Sequence, residues 1–331
     1  MLEVTENGLY CPKGEFYIDP TGDVEQAVVT HGHADHAIQG STQYWAHPAT
    51  CRVMETRWKP GDYALQRLAY DETRKFGAVE VSLHPAGHIL GSSQVKICDG
   101  KSTWVVSGDY NRGDDATCQA FEVQKCDVFV TESTFALPIF HWPPTSSVSQ
   151  QIISWAEEKW SQGICTVLYA YSLGKTQRVL AALAAEGAAK FTLHSSAHRI
   201  SKVYEEFGVD LPEYDLFDKE MNPSDLVGSF VILPPAMERS HFMRRKDLVS
   251  AAFLSGWMQL RGMRRRRNIE KGFVLSDHAD WSSLIETIKA TGAKKVYTTH
   301  GYSDVLSKYL ETSVGICSEE LTILRDREED Q

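Results

Sequence analysis

The 331-residue sequence lacks several features that would place a protein in a class at once. It contains no run of about 18 apolar residues, and its first residues do not combine a basic region with an apolar stretch. We therefore expect a cytoplasmic protein with neither a membrane span nor a secretory signal. The seven cysteines include no C-x-x-C pair, which argues against a disulfide framework and against a cysteine zinc site.

An excess of basic residues is also absent, since 44 acidic side chains outnumber 34 basic ones and give a net charge of −10. Such a balance normally counts against a nucleic-acid partner, because phosphate binding depends on clustered lysine and arginine. The local distribution matters more than the sum. A run of basic residues supplies Arg261, Arg264, Arg265, Arg266 and Arg267. This cluster predicts phosphate contacts, and its alternative is a solvated helix face.

The most informative stretch follows the apolar run Ala27-Val28-Val29 and reads HGHADH at positions 31–36. Two alternating histidines in a tight turn, His31 and His33, can direct two nitrogens at one metal ion. Asp35 and His36 can then serve a neighbouring ion. The stretch therefore predicts two metals side by side, and the alternative is a solvated loop that happens to be rich in histidine.

Further ligand-type residues follow or precede predicted strands, where catalytic loops usually lie. They are His88 in GHILGS, Asp109 in SGDY, Glu132 in TESTF, His278 in LSDHADW and His300 in THG. Alone, each has an ordinary alternative, such as a structural histidine or a capping acid. After HGHADH, we predict that His88 is a third ligand of the first metal and that Asp109 bridges both metals.

The chain changes texture near residue 140, where Pro138, Pro143 and Pro144 interrupt it. Before this point, short apolar runs such as 79–83 and 103–106 alternate with turns and predict a sheet-rich half. Beyond it, predicted helices at about 148–162 and 175–186 alternate with strands, which is typical of a parallel α/β domain.

The turn at 171–176, YSLGKT, ends like a phosphate-binding P-loop but has Tyr169 where the first glycine is required. A strand-turn-helix junction with Ser172 and Lys175 can still bind a phosphate through the helix N-terminus. Helix capping by the serine is the alternative.

Taken together, these motifs resemble those of metallo-β-lactamase-fold nucleases with an inserted β-CASP domain, over essentially the whole chain. The segment RGMRRRRNIEKGFVLSDHADW makes the sequence most similar to the bacterial ligase-associated DNA exonucleases. The resemblance implies an α/β protein with a four-layer αββα metallo-β-lactamase fold and an inserted α/β β-CASP domain. Residues 1–139 and 273–331 would form the catalytic domain, and 140–272 the insert.

The resemblance also implies a role for each motif residue. One zinc would be bound by His31, His33 and His88, the other by Asp35, His36 and His300, with Asp109 bridging. Asp19 would support the ligands, and Glu132 would pair with His278, the candidate proton donor. The implied catalytic set is Asp35, Asp109, Glu132 and His278, and the implied phosphate contacts are Ser172, Lys175, Arg264, Arg265, Arg266 and Arg267.

We therefore predict a zinc-dependent phosphodiesterase that degrades DNA from an end and acts in DNA repair together with an ATP-dependent DNA ligase and a helicase. Its expected cofactors are two Zn²⁺ per chain, with Mn²⁺ or iron as alternatives. An RNA-processing β-CASP ribonuclease and a small-molecule zinc hydrolase of the same fold are the alternative functions.

Overall fold

The computed structural model describes residues 1–260, 262 and 270–322, and its chain divides into two compact units. The first unit comprises Met1–His141 together with the chain from His278 onward. The second unit is Trp142–Asp277. In the described part of the chain, no helix is both long and apolar enough to cross a membrane.

The described α-helices and strands are, in chain order, as follows. The helices are α1 (Pro48–Arg57), α2 (Thr145–Ser161), α3 (Lys175–Ala185), α4 (Ser195–Glu206), α5 (Trp281–Thr291) and α6 (Ser303–Tyr309). The strands are β1 (Glu3–Thr5), β2 (Gly8–Cys11), β3 (Phe16–Ile18), β4 (Gln26–Val28), β5 (Gln43–Ala46), β6 (Ala64–Arg67), β7 (Thr73–Phe76), β8 (Val79–Pro85), β9 (Ser93–Cys98), β10 (Thr103–Val106), β11 (Val128–Glu132), β12 (Cys165–Tyr169), β13 (Phe191–Leu193), β14 (Asp215–Leu216), β15 (Phe230–Leu233), β16 (Val249–Leu254), β17 (Lys271–Phe273), β18 (Lys295–Thr299) and β19 (Cys317–Glu320). Short 3₁₀ turns occupy Pro223–Leu226, Pro235–Arg239, Phe242–Arg244 and Gly256–Gln259, and a π-helical turn occupies Leu310–Val314.

Two sheets build the first unit. One has the order β1-β2-β3-β4-β5-β6, and the other has the order β19-β18-β11-β10-β9-β8-β7. The alternation of β8, in which Val79, Val81 and Leu83 are buried while Glu80 is exposed, shows why these short runs form strands with one face in the core. The apolar faces of both sheets meet in one cluster, which includes Phe16 and Val28 from the first sheet together with Val81 and Ile97 from the second.

Helices cover the other faces of the same two sheets. Cys51 and Met54 of α1 pack with Val29 and Tyr44 beside the first sheet. Leu284 and Ile288 of α5 pack with Val105 and Phe129 of the second sheet. Helix α5 begins where Asp280 accepts a hydrogen bond from the Ser283 amide at 2.8 Å, and it ends at Gly292 in the left-handed conformation. This mixed α/β unit is consistent with the metallo-β-lactamase fold that the motifs predict.

The second unit contains one parallel sheet in the order β14-β13-β15-β12-β16-β17. Strands β12 and β15 are buried along their whole length, as expected for a parallel sheet covered on both faces. One face packs against α2 and α3 through residues such as Ile152 and Leu180, and the other packs against Phe217, Phe242 and Met258.

Candidate metal centre

Strand ends determine where the motif residues lie in the first unit. Strands β3 and β4 are parallel neighbours, so Asp19 lies beside the turn that begins at Thr30. Strands β10, β11 and β18 are also parallel neighbours, with Glu132 paired to Thr299. The residues that follow these three strands therefore emerge at one edge of their sheet, and they include Asp109 and His300.

Three imidazoles and one carboxylate meet within this first unit. Nδ1 of His33 lies 3.1 Å from Nε2 of His31 and 3.1 Å from Nε2 of His88. Oδ2 of Asp109 lies 3.5 Å from the His31 nitrogen and 3.9 Å from the His88 nitrogen. All four residues offer one ligand atom within 4.8 Å of the others. The structure thus brings together the three histidines predicted for the first metal and the predicted bridging aspartate.

This donor set fits a metal ion better than it fits a hydrogen-bond network. A ring nitrogen either donates one proton or accepts one through a single in-plane lone pair. Nδ1 of His33 has a single in-plane position for a proton or a lone pair, so it cannot form full hydrogen bonds to both His31 and His88, whereas all three nitrogens can bind one ion. Ligand atoms about 3.4 Å apart are expected around a tetrahedral zinc with bonds of about 2.1 Å. Burial, aided by the neighbouring imidazoles, also lowers the pKa of His31 well below its ordinary value, so its neutral, metal-binding form prevails.

A second group of donors shares the same Asp109 oxygen. Nε2 of His36 lies 3.4 Å from Oδ2 of Asp109 and 3.5 Å from Oδ2 of Asp35. The His300 ring stacks on the His36 ring at 5.5 Å between centroids. Burial would raise the pKa of Asp109, but the fields of His36 and His31 and a hydrogen bond from His36 outweigh it and hold that pKa well below its ordinary value. Asp109 is thus a carboxylate placed between two sets of imidazoles.

Asp19 fixes the orientation of His36 from behind. Its Oδ2 lies 2.7 Å from Nδ1 of His36 and accepts a hydrogen bond from Oγ1 of Thr30 at 2.6 Å, while its Oδ1 accepts from the Thr30 amide at 2.7 Å. With Nδ1 held by Asp19, Nε2 is the His36 nitrogen that lies near Asp109. This is the arrangement by which carboxylates orient histidine ligands of metals. Thr30 was not among the predicted site residues, although it directly precedes the motif.

Two glycines allow the loops of this centre to approach each other. Gly87 and Gly108 have φ of +72° and +56°. A Cβ on Gly87 would lie 2.3 Å from the carbonyl oxygen of Asn111, and one on Gly108 would lie 2.7 Å from Cβ of Thr30. Both glycines stand next to a candidate ligand, so the close approach of backbones sets where His88 and Asp109 lie.

His278 and Glu132 form a buried pair beside the imidazoles. Nδ1 of His278 lies 3.0 Å from Oε2 of Glu132, whose Oε1 accepts a hydrogen bond from the Tyr110 amide at 2.6 Å. The His278 ring lies 4.7 Å from the His88 ring between centroids. Burial raises the pKa of Glu132, while the adjacent His278 opposes that rise. The Glu132 contact at Nδ1 thus fixes the orientation of the His278 ring.

The predicted phosphate contacts Ser172 and Lys175 belong to the second unit. In the second unit, Oγ of Ser172 lies 2.6 Å from Oγ of Ser196. Lys175 is 2% exposed, and its Nζ lies 3.1 Å from Oδ1 of Asp277. The predicted arginines Arg264, Arg265, Arg266 and Arg267, like Arg261, lie outside the described residues.

Ser133 is a further residue of the site that the motif analysis did not single out. Its Oγ donates to the carbonyl of His300 and lies 2.9 Å from the carbonyl of Thr299. His300 itself has a φ of +59°, a conformation that side chains other than glycine rarely adopt. Ser133 thus helps to hold the strained turn that presents His300. Its place in the TESTF motif, directly after Glu132, was the available signal.

Fold and site together define a mixed α/β protein with an imidazole-rich centre built around one shared aspartate. No family model matches the sequence. A protein named "Probable DNA ligase" from Opitutus terrae is 30% identical over 317 residues, which cover 92% of this chain and 29% of that protein. An "RNase J-like protein" from Methanocaldococcus jannaschii is 24% identical over 181 residues, which cover 47% of this chain and 42% of that protein. The chain thus spans less than half the length of either relative.

A solved structure supports the fold. A protein of unknown function from Enterococcus faecalis V583 superposes with a TM-score of 0.58 at 11% sequence identity, covering 91% of this chain and 80% of the other. At this identity the likeness concerns the fold alone.

Proposed function

We propose that this chain is a metal-dependent phosphodiester hydrolase of the metallo-β-lactamase/β-CASP nuclease type. The observation that carries the proposal is the position of Asp109, whose Oδ2 lies within 3.5 Å of both His31 and His36. The packing of helices outside two facing sheets supports the four-layer αββα arrangement, with 1–139 and 273–331 as catalytic domain and 140–272 as insert. The relative named "RNase J-like protein" supports a nuclease, and the relative named "Probable DNA ligase" supports a nucleic-acid substrate.

In this proposal, His31, His33 and His88 would hold one zinc, Asp35, His36 and His300 would hold the other, and Asp109 would be a ligand that both sets share. Two such ions would neutralise charge on the phosphate and lower the pKa of a water toward about 7. Mn²⁺ and iron suit the same imidazole and carboxylate ligands. Asp19 and Thr30 orient the ligands, since metal-binding histidines depend on such partners.

The chain's own contribution to bond cleavage falls on the buried pair. Glu132 holds the His278 ring through Nδ1, so that Nε2 can donate a proton to the leaving oxygen of the phosphodiester. Proton donation of this kind contributes about 10² to 10⁴ in rate. Asp35 and Asp109, as ligands, would hold the metal ions in place while negative charge develops on the substrate.

We further propose that the substrate is DNA and that cleavage proceeds from an end. The relative matched over 92% of the chain is named "Probable DNA ligase", which supports a DNA substrate and a functional association with a DNA ligase. An ATP-dependent ligase and a helicase acting with it in repair are further parts of this proposal. An RNA substrate is the second candidate, and the RNase J-like relative favours it.

End-labelled single- and double-stranded DNA, together with RNA of the same sequence, provides the test. The DNA proposal expects mononucleotide release from a DNA end and slower turnover of RNA. A ladder of internal cuts would indicate an endonuclease instead of an exonuclease. Faster turnover of RNA than of DNA would indicate a ribonuclease. The Asp109→Asn variant, purified in the same way, is the control for contaminating nucleases and should be inactive on every substrate.

The arginine cluster provides a separate test of phosphate contact. Replacing Arg264, Arg265, Arg266 and Arg267 by Ala should weaken DNA binding and reduce the log-log salt slope by roughly 0.7 to 0.9 for each lost contact. A control variant removes four exposed lysines elsewhere, namely Lys59, Lys75, Lys219 and Lys246. Equal salt slopes for the two variants would make the cluster a solvated segment without contact to the substrate.

A further inference from the structure

A further group of side chains that could bind a metal lies at the surface of the first unit, and none of its members belongs to the proposed centre. Asp71, His84 and Glu122 each offer one ligand atom, and the three atoms lie within 4.8 Å of one another. Asp71 belongs to the connection between β6 and β7, His84 to the end of β8, and Glu122 to the long segment between β10 and β11. The proposed nuclease mechanism uses none of the three.

His84 is the buried member of this group, with 8% of its surface exposed, and it presents one ring nitrogen to the carboxylates. Its Nε2 lies 2.9 Å from Oγ of Ser82, which fixes the ring. Its Nδ1 lies 2.9 Å from Oδ1 of Asp71, yet this buried nitrogen makes no hydrogen bond to any described residue. The contact is therefore close without having the direction of an N–H donation.

Backbone hydrogen bonds hold both carboxylates against β8. The Asp71 amide donates to the carbonyl of Leu83 at 2.9 Å. The Glu122 amide donates to the carbonyl of Pro85 at 3.3 Å, and Nε2 of Gln94 donates to the Glu122 carbonyl at 2.7 Å. The two acidic residues thus flank the end of β8 in defined positions, while their carboxylates face solvent and remain accessible to an ion.

The local charge also favours a divalent cation. Lys96 is a cation close enough to act on His84, and its Nζ donates to Oε1 of Gln124 at 3.3 Å. Burial lowers the pKa of His84, and the nearby Asp71 only partly offsets this effect. The ring is therefore neutral at physiological pH, which is the form that binds metals.

We propose that Asp71, His84 and Glu122 bind a further zinc ion, which fastens the segment 111–127 to the end of β8. One imidazole and two carboxylates are a ligand set that zinc accepts, with solvent completing the tetrahedron. The role is structural. It stands independently of the proposed nuclease function, because none of the three residues belongs to the proposed centre.

The test is zinc binding by the full chain, measured by equilibrium dialysis over a range of free zinc. The variant Asp71→Asn/Glu122→Gln should bind one zinc fewer per chain than the wild type, and zinc should raise its Tm by less, since an ion bound to the native state stabilises it by mass action. The control variant Glu3→Gln/Glu80→Gln removes two exposed carboxylates of the same unit, one of them on β8, and should match the wild type.

All replaced side chains are exposed, so the variants should fold, and circular dichroism checks this. Equal zinc stoichiometry in wild type, Asp71→Asn/Glu122→Gln and control would overturn the proposal. If Asp71→Asn/Glu122→Gln lost nuclease activity while it bound as much zinc as the wild type, the result would count against the proposed function as well. The ligand set of the proposed nuclease centre includes neither of these residues.

Discussion

Oδ2 of Asp19 lies 2.7 Å from Nδ1 of His36, although the two residues are 17 positions apart in the chain. The parallel pairing of β3 with β4 places Asp19 beside the turn that carries the HGHADH motif. Asp19 itself has a φ of +45°. The contact is buried, so neither group exchanges its partner for water. This contact thus orients His36, a proposed metal ligand.

Replacing Asp19 by Asn tests this relationship. The amide keeps the shape of the carboxylate but removes its charge, so we expect zinc affinity at the His36 set to fall by about 10- to 100-fold. Titration against a competing chelator measures the two affinities separately. Glu25→Gln, an exposed change directly before β4, is the control and should leave both affinities unchanged. An unchanged affinity in Asp19→Asn would show that the carboxylate does not orient the ligand.

His278→Ala tests the proposed proton donor. The variant should retain both zincs and lose about 10² to 10⁴ in rate on DNA, because the leaving alkoxide must depart without a proton. On a nucleotide p-nitrophenyl ester, whose leaving group departs readily as an anion, the loss should be far smaller. Equal losses on the two substrates, or a fall in zinc content, would assign the proton to another residue.

Gly108→Ala tests the close approach of the Asp109 loop to Thr30. Gly100→Ala is a matched control, since both glycines have positive φ, but a Cβ on Gly100 meets nothing within 4 Å. Both variants should lose about 1 kcal/mol for the strained backbone, and Gly108→Ala should lose about 1 to 3 kcal/mol more from overpacking. Urea unfolding of metal-free protein gives these values. Zinc content should fall only in Gly108→Ala, and equal values for the two variants would contradict the steric argument.

His47 predicts a pH dependence of stability. It caps α1 by accepting from the Ala49 amide, and burial lowers its pKa to about 4. Below about pH 6.5, His47 binds a proton in the unfolded chain but stays neutral in the folded chain. The free energy of unfolding therefore falls as the pH falls from about 6.5 toward 4. The loss is at most about 3 kcal/mol, reduced because the ring is only partly buried.

The variant His47→Asn isolates this effect, because asparagine caps helices well and does not titrate. In metal-free protein, the free energy of unfolding of the variant should fall less than that of the wild type between pH 6.5 and 4. If the free energy of unfolding fell equally with pH in the wild type and in His47→Asn, His47 would be protonated in the folded state over this pH range.

Much of the centre could be predicted because its ligands lie in short motifs at strand ends. His31, His33, His88 and Asp109 converge as predicted, since parallel pairing brings the ends of strands to one edge. The strand at 103–106 was predicted with its observed bounds because it is a short apolar run between turns. Helix α1 was missed, since its mixed sequence PATCRVMETR has no clear apolar stripe.

Other contacts could not be derived from local sequence. The turn at 171–176 predicts a phosphate contact for Lys175, but the sequence around it contains no sign of Asp277, about a hundred residues further on, against which its ammonium is buried. The hydrogen bonds of Thr30 likewise depend on the register between β3 and β4, which no single segment specifies. Phosphate binding by Ser172 and Lys175 stays a prediction.

The order of the chain has a consequence for its synthesis. His278 and His300 follow the 136 residues of Trp142–Asp277, whereas the other residues of the proposed centre precede them. At about 5 to 20 residues per second, a ribosome needs roughly 7 to 27 s to translate that interval. Until then β11 lacks its neighbour β18, and the nascent chain holds a donor set without His300 and without the proposed proton donor. Under the proposed function, a growing chain would therefore acquire hydrolytic competence only after the residues that follow its second unit have been translated.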